Sequence, residues 1–117
     1  MSYIADKVGL FLSEIFPTIH IQKEYFVVYK GQRLFVDFYI PSYLLAIEVH
    51  GEQHDHFVEH FHSDERGWRE HKSRDRIKEE WASVNNVSYV VIRNKDIPKS
   101  KEELLALIKK EVIDDGK

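Results

Sequence analysis

The stretch FVDFYIPSYLLAIEVHGEQH, residues 35–54, decides how this chain is read. Two acids, Asp37 and Glu48, stand in otherwise apolar, β-prone runs, and His50 follows two residues after the second. Burying a carboxylate without a partner is expensive, so acids in such runs imply partners or a use. LFVDFYI (34–40) and LLAIEVH (44–50) read as strands joined through PSY. A turn that sets Pro41 against Leu44 pairs Ile40 with Leu45, Phe38 with Ile47 and Asp37 with Glu48. Directly opposed residues project to one sheet face, with β-carbons about 5 Å apart. His50 shares the face of Glu48 by alternation. A one-residue slip would send the two acids to opposite faces. Two opposed carboxylates repel, and a divalent cation between them relieves the repulsion.

Working outward, Ile4, Val8, Phe11, Leu12 and Ile15 fall at helical spacing, which predicts a helix over 4–16 that stops at Pro17. HIQKEYFVVY (20–29) predicts a first strand, and KGQR (30–33) a turn. Residues 51–67 are polar and His-rich and read as a loop with a possible helical turn at 56–62. A charged helix is predicted from Trp68 to Trp81, broken by Asn85 and Asn86. VSYVVIR (87–93) is a strong strand. Ser100 and Glu103 form a capping box ahead of a last helix from Lys101 to about Ile113. The order is α-βββ-α-β-α. A meander followed by a helical crossover predicts an α/β (α+β) fold with a mixed sheet and helices against it.

The bulk numbers bound the answer. A chain of 117 residues with 43% hydrophobic and 32% charged residues suits one globular domain, 1–117, with one genuine core. It has no Cys, which excludes disulfides and Cys-based zinc sites. No apolar run is long enough for a membrane span and the N-terminus does not read as a signal peptide, so the expectation is a cytoplasmic protein with no membrane partner. A formal net charge of −3 excludes a strongly basic coat and confines any nucleic-acid contact to a local patch.

Other residues carry weaker signals. Lys72, Arg74, Arg76 and Lys78 are placed to contact phosphates, although alternating signs along the same helix also describe a solvated face. Trp68 and Trp81 read as packing residues rather than stacking platforms. Six of the seven histidines fall between His50 and His71. His56 and His60, four apart, have a spacing that can bind zinc on a helix, with Asp55, Glu59 or Asp64 as further ligands. A substrate-facing loop is the favoured reading of that segment.

Together these residues resemble the PD-(D/E)xK nucleases. Asp37 and Glu48 stand at that superfamily's metal-binding acids, and His50 stands where it usually has Lys. A finer resemblance is to the very-short-patch repair endonucleases and the phage homing endonucleases named for an EDxHD motif. VDFYIP, IEVHGEQH and KSRDRIKEEWASVNNVSYVVIR carry it. The resemblance implies a restriction-endonuclease-like α-βββ-α-β core with a C-terminal helix and a Mg²⁺-dependent DNA endonuclease, with Mn²⁺ able to substitute. Asp37 and Glu48 would hold the metal. His50 or His54 would act as general base or acid, Asp75 would assist a histidine, and Glu14 would be the leading acid. Gln53, Lys72, Arg74 and Arg76 would contact DNA. Specificity would need a homodimer or a partner protein. The chain departs from the repair enzymes in lacking their Cys-bound zinc, and it has Glu52 and Gln53 where they carry wedging aromatics. The alternative functions are a catalytically silent DNA-binding or recruitment module and a structure-specific junction nuclease.

Overall fold

A computed structural model describes residues 3–50 and 65–115. The elements run α1 (Tyr3–Ile15), β1 (Gln22–Tyr29), β2 (Gln32–Ile40), β3 (Leu45–His50), α2 (Glu65–Val84), β4 (Ser88–Arg93) and α3 (Lys101–Asp115). The four strands form one mixed sheet in the order β1-β2-β3-β4. β1 and β2, and β2 and β3, pair antiparallel, while β3 and β4 pair parallel across the α2 crossover. This is the α+β architecture, and the element order, that the hydrophobic patterning implies.

Local chemistry sets the turns. Tyr29 pairs with Gln32, which leaves a two-residue hairpin loop. Lys30 (φ 51°) and Gly31 (φ 74°) both take left-handed backbone there, as a type I′ turn requires. Pro41–Tyr43 forms one 3₁₀ turn, and Leu44 closes it in the left-handed region with its N–H on Pro41 O at 3.1 Å. α2 ends in a Schellman motif. Asn86 is left-handed (φ 58°), Val87 N donates to Ala82 O at 2.8 Å, and Asn86 N donates to Ser83 O at 3.3 Å. At the start of α3, Glu103 N donates to Ser100 Oγ at 3.2 Å, the cap expected from SKEE.

The predicted loop over 51–67 is corrected at its end, because α2 begins at Glu65 rather than near Trp68. The helix also runs on to Val84. Few apolar residues mark its first turns, so periodicity alone starts it late. The possible helical turn at 56–62 lies outside the described residues.

Each face of the sheet has its own core. On one side α1 and α3 bring Val8, Leu12, Leu104 and Ile108 onto Phe38, Ile40, Leu45, Ile47, Val90 and Ile92. Close approach of α1 depends on Gly9, where an added methyl would come within 3.1 Å of Phe38 Cε1. On the other side α2 brings Ile77, Trp81 and Ala82 onto Val27, Leu34, Val36 and Ala46, with Tyr25, Tyr39 and Tyr89 packed around them. Trp81 is therefore a core residue, as expected.

The split between the two cores exposes an irregularity in β2. Val36 belongs to the α2 side and Phe38 to the α1 side, although two residues apart on a regular strand share a face. Alternation thus skips once, at Asp37. Cross-strand partners keep one register on both sides of the skip, Tyr25 with Val36 and Lys23 with Phe38. The residue between them, Glu24, is left-handed (φ 50°). The sheet is locally distorted where the first of the two acids stands.

Phe38 is fully buried at the meeting point of α1, β2 and β3. Phe38→Ala is expected to destabilise the fold by about 3–5 kcal/mol, measured by equilibrium denaturant unfolding.

Candidate functional site

Strand register brings the site together. Ile40 pairs with Leu45, Tyr39 with Ala46, and Phe38 with Ile47. One step further Asp37 meets Glu48, and there the backbone ladder gives way to side chains. Asp37 N donates to Glu48 Oε1 at 2.9 Å, and Val49 N donates to Asp37 Oδ2 at 2.8 Å. Each carboxylate thus satisfies an amide of the opposite strand that the ladder has released. The expected pairs Ile40 with Leu45 and Phe38 with Ile47 are present, whereas Asp37 and Glu48 are joined by two charge-assisted side-chain bonds to backbone amides rather than as a ladder pair.

α2 supplies the other half. Asp75 and Lys78, three apart on one helix face, turn toward the sheet. Lys78 Nζ donates to Glu48 Oε2 at 3.1 Å. His50 Nε2 stands 3.6 Å from Glu48 Oε2 and 3.8 Å from Asp75 Oδ1, within range of charge interaction with both. Glu48 is only 4% exposed and His50 only 3%. A carboxylate and an imidazole this deep are rare without partners or function, and here they lie next to each other.

Burial and the neighbouring Glu48 push the Asp37 carboxyl above its ordinary range, in that order of size. The hydrogen bond from Val49 and the nearby Lys78 and His50 oppose this without reversing it. The irregular stretch of β2 thus carries an acid whose charged form is disfavoured by burial and by Glu48.

The structure gathers Asp37, Glu48, His50 and Asp75 of the residues expected from sequence. It does not gather Glu14. That side chain is on α1, over the opposite sheet face, half exposed and 3.6 Å from Lys101 Nζ. Its place at the edge of the apolar stripe ties it to α3 rather than to the acids. Arg74 and Arg76 are exposed on α2, and Lys72 lies on the same helix. Gln53, His54 and the proposed zinc ligands His56 and His60 lie outside the described residues. Two contributors escaped sequence reading. Lys78, grouped there with phosphate contacts, is held by Glu48; its spacing of three from Asp75 was the available signal. Tyr89 was overlooked, although strand alternation from Val90 and Ile92 would have set it on the side of Glu48.

Among the described residues no three His, Asp or Glu side chains are arranged to cage a metal ion. The donor set instead fits a hard cation that takes one or two protein carboxylates and keeps several waters, as Mg²⁺ does. Asp37 Oδ1 accepts no hydrogen bond among the described residues, while Asp37 Oδ2 and both Glu48 oxygens do.

No protein family matches the chain, and no solved structure matches it. The uncharacterized protein 307L of Invertebrate iridescent virus 6 is 36% identical over 65 residues, 54% of this chain. The match spans 33% of that viral protein's length.

Two substitutions test the electrostatics. With its folded-state value raised, Asp37 makes the folded protein bind more protons than the unfolded chain across the window above the ordinary carboxylate value. Wild-type stability is therefore lost as pH rises through that window. Asp37→Asn removes this dependence. Its stability relative to wild type is expected to grow from acid toward neutral pH, read from denaturant midpoints at a series of pH values. Lys78→Met leaves the Glu48 charge buried without its cation and is expected to destabilise by about 3 kcal/mol. The double variant Glu48→Gln with Lys78→Met should recover much of that loss.

Proposed function

We propose that the chain is a divalent-cation-dependent endonuclease that hydrolyses phosphodiester bonds in DNA, built on a restriction-endonuclease-like core. The observation that carries this reading is the meeting of Asp37 and Glu48 at the frayed end of a strand pair, with His50 beside Glu48 on one buried face. The α-βββ-α-β order with an added C-terminal helix supports it, as does the mixed sheet.

Asp37 and Glu48 would hold Mg²⁺ or Mn²⁺. A cation held there polarises a phosphate oxygen and acidifies water at neutral pH. His50, between Glu48 and Asp75, is placed to hold or pass a proton at Nε2, and Asp75 stabilises the imidazolium that results. Lys78 offsets the Glu48 charge in the absence of a cation, which keeps two opposed carboxylates tolerable in the free protein. Arg74 and Arg76, both exposed on the same helix, are available to phosphates. With formal net charge −3 the DNA contact must be local, and a second copy or a partner would widen it.

One observation favours a second reading. Both Glu48 oxygens already accept hydrogen bonds, from Asp37 N and Lys78 Nζ. A network locked in that way describes a nuclease-like module that binds DNA without cutting it.

Supercoiled plasmid separates the two. The nuclease reading expects nicking or linearisation that requires Mg²⁺ or Mn²⁺. Glu48→Ala and His50→Ala should each lower the rate at least roughly a hundredfold, the loss of several kcal/mol of transition-state stabilisation. Binding without cleavage of plasmid, branched and single-stranded DNA would instead support the silent module.

A further inference from the structure

The hydroxyl of Tyr89 is buried and has no hydrogen-bond partner among the described residues. Tyr89 pairs with Ala46 in the parallel ladder and packs on the α2 side of the sheet, the side of Glu48 and His50. Four carboxylates act on the phenol: Glu48 most strongly, then Asp75, Glu79 and Asp37. Burial and these charges push it far above its ordinary value, so it stays protonated.

Such a group is unfavourable for folding. An orphaned buried hydroxyl costs about 1–3 kcal/mol, and native proteins carry few of them. Phenylalanine would fill the same space without that cost. The ring also lines an open groove of about 830 Å³, whose walls include Glu79, Ser83 and Asn86 beside α2, and Arg93 and Glu111. Tyr89 is therefore half-buried at the groove while its hydroxyl is enclosed. The carboxylates that bear on that hydroxyl favour a positively charged ligand beside it.

We propose that Tyr89 is a positioning residue for a divalent cation at Asp37 and Glu48, its phenol oxygen accepting a hydrogen bond from a water of that cation. The inference rests on the cation reading of the two acids. A phenol oxygen can accept as well as donate, and cation-bound waters are strong donors. Mg²⁺ held by one or two carboxylates keeps several such waters. Partners in this outer position commonly alter metal affinity 10–100-fold.

The test compares wild type, Tyr89→Phe and Glu48→Ala by calorimetric titration with Mn²⁺ and Mg²⁺, alongside thermal melting of the metal-free proteins. Tyr89→Phe is expected to melt at or above the wild-type temperature and to bind Mn²⁺ about tenfold more weakly. Unchanged affinity would overturn the proposal and leave the cation site standing. A lower metal-free melting temperature would also overturn it, because the hydroxyl would then be bonded in the free protein. If wild type binds neither ion and Glu48→Ala behaves identically, the cation reading itself falls, and this inference falls with it.

Discussion

The backbone ladder between β2 and β3 stops after Phe38 and Ile47, and two carboxylates continue it. Asp37 N bonds to Glu48, and Val49 N bonds to Asp37. Released amides inside a protein need acceptors, and buried carboxylates need donors. Here each deficit answers the other. The exchange fixes both acids face to face, and it does so with backbone groups, which do not change rotamer. Lys78 and His50 then have a defined negative centre to face, and α2 is anchored over the sheet by a charge contact as well as by Trp81 and Ala82.

Irregularities gather around the same exchange. Alternation in β2 skips at Asp37, Glu24 opposite takes a left-handed backbone, and the Asp37 carboxyl is held where its charge is disfavoured. None of these features improves folding. Local violations of folding rules that converge on one spot mark the places where a protein trades stability for a task. The orphaned hydroxyl of Tyr89 belongs to the same neighbourhood.

Much of this was legible in the sequence, for identifiable reasons. The four-residue connection PSYL, closed by left-handed Leu44, leaves Ile40 and Leu45 little choice of partner, so the register that brings Asp37 and Glu48 near each other could be read from loop length. The apolar spacings of Val8 and Leu12, and of Leu104 and Ile108, marked the two helices on one face. What escaped was governed by tertiary contacts. α2 carries charges on nearly every side, so neither its start at Glu65 nor the inward turn of Lys78 follows from periodicity. Only the position of Glu48 beneath the helix says which of its cations points down. Glu14 misled because the rim of an apolar stripe can face a neighbouring helix as readily as a site, and Lys101 was there to receive it. Tyr89 was hidden in a strand whose apolar character made every residue look like core.

The central claim is that Asp37 and Glu48 together form a cation site. Substoichiometric Mn²⁺ added to ¹⁵N-labelled protein tests it directly, since the paramagnetic ion broadens the amide signals nearest to it. The account predicts that Asp37, Glu48 and Val49 broaden first, and that Glu48→Ala abolishes the effect. Broadening confined to the histidine-rich residues 51–64, or none at all, would contradict it.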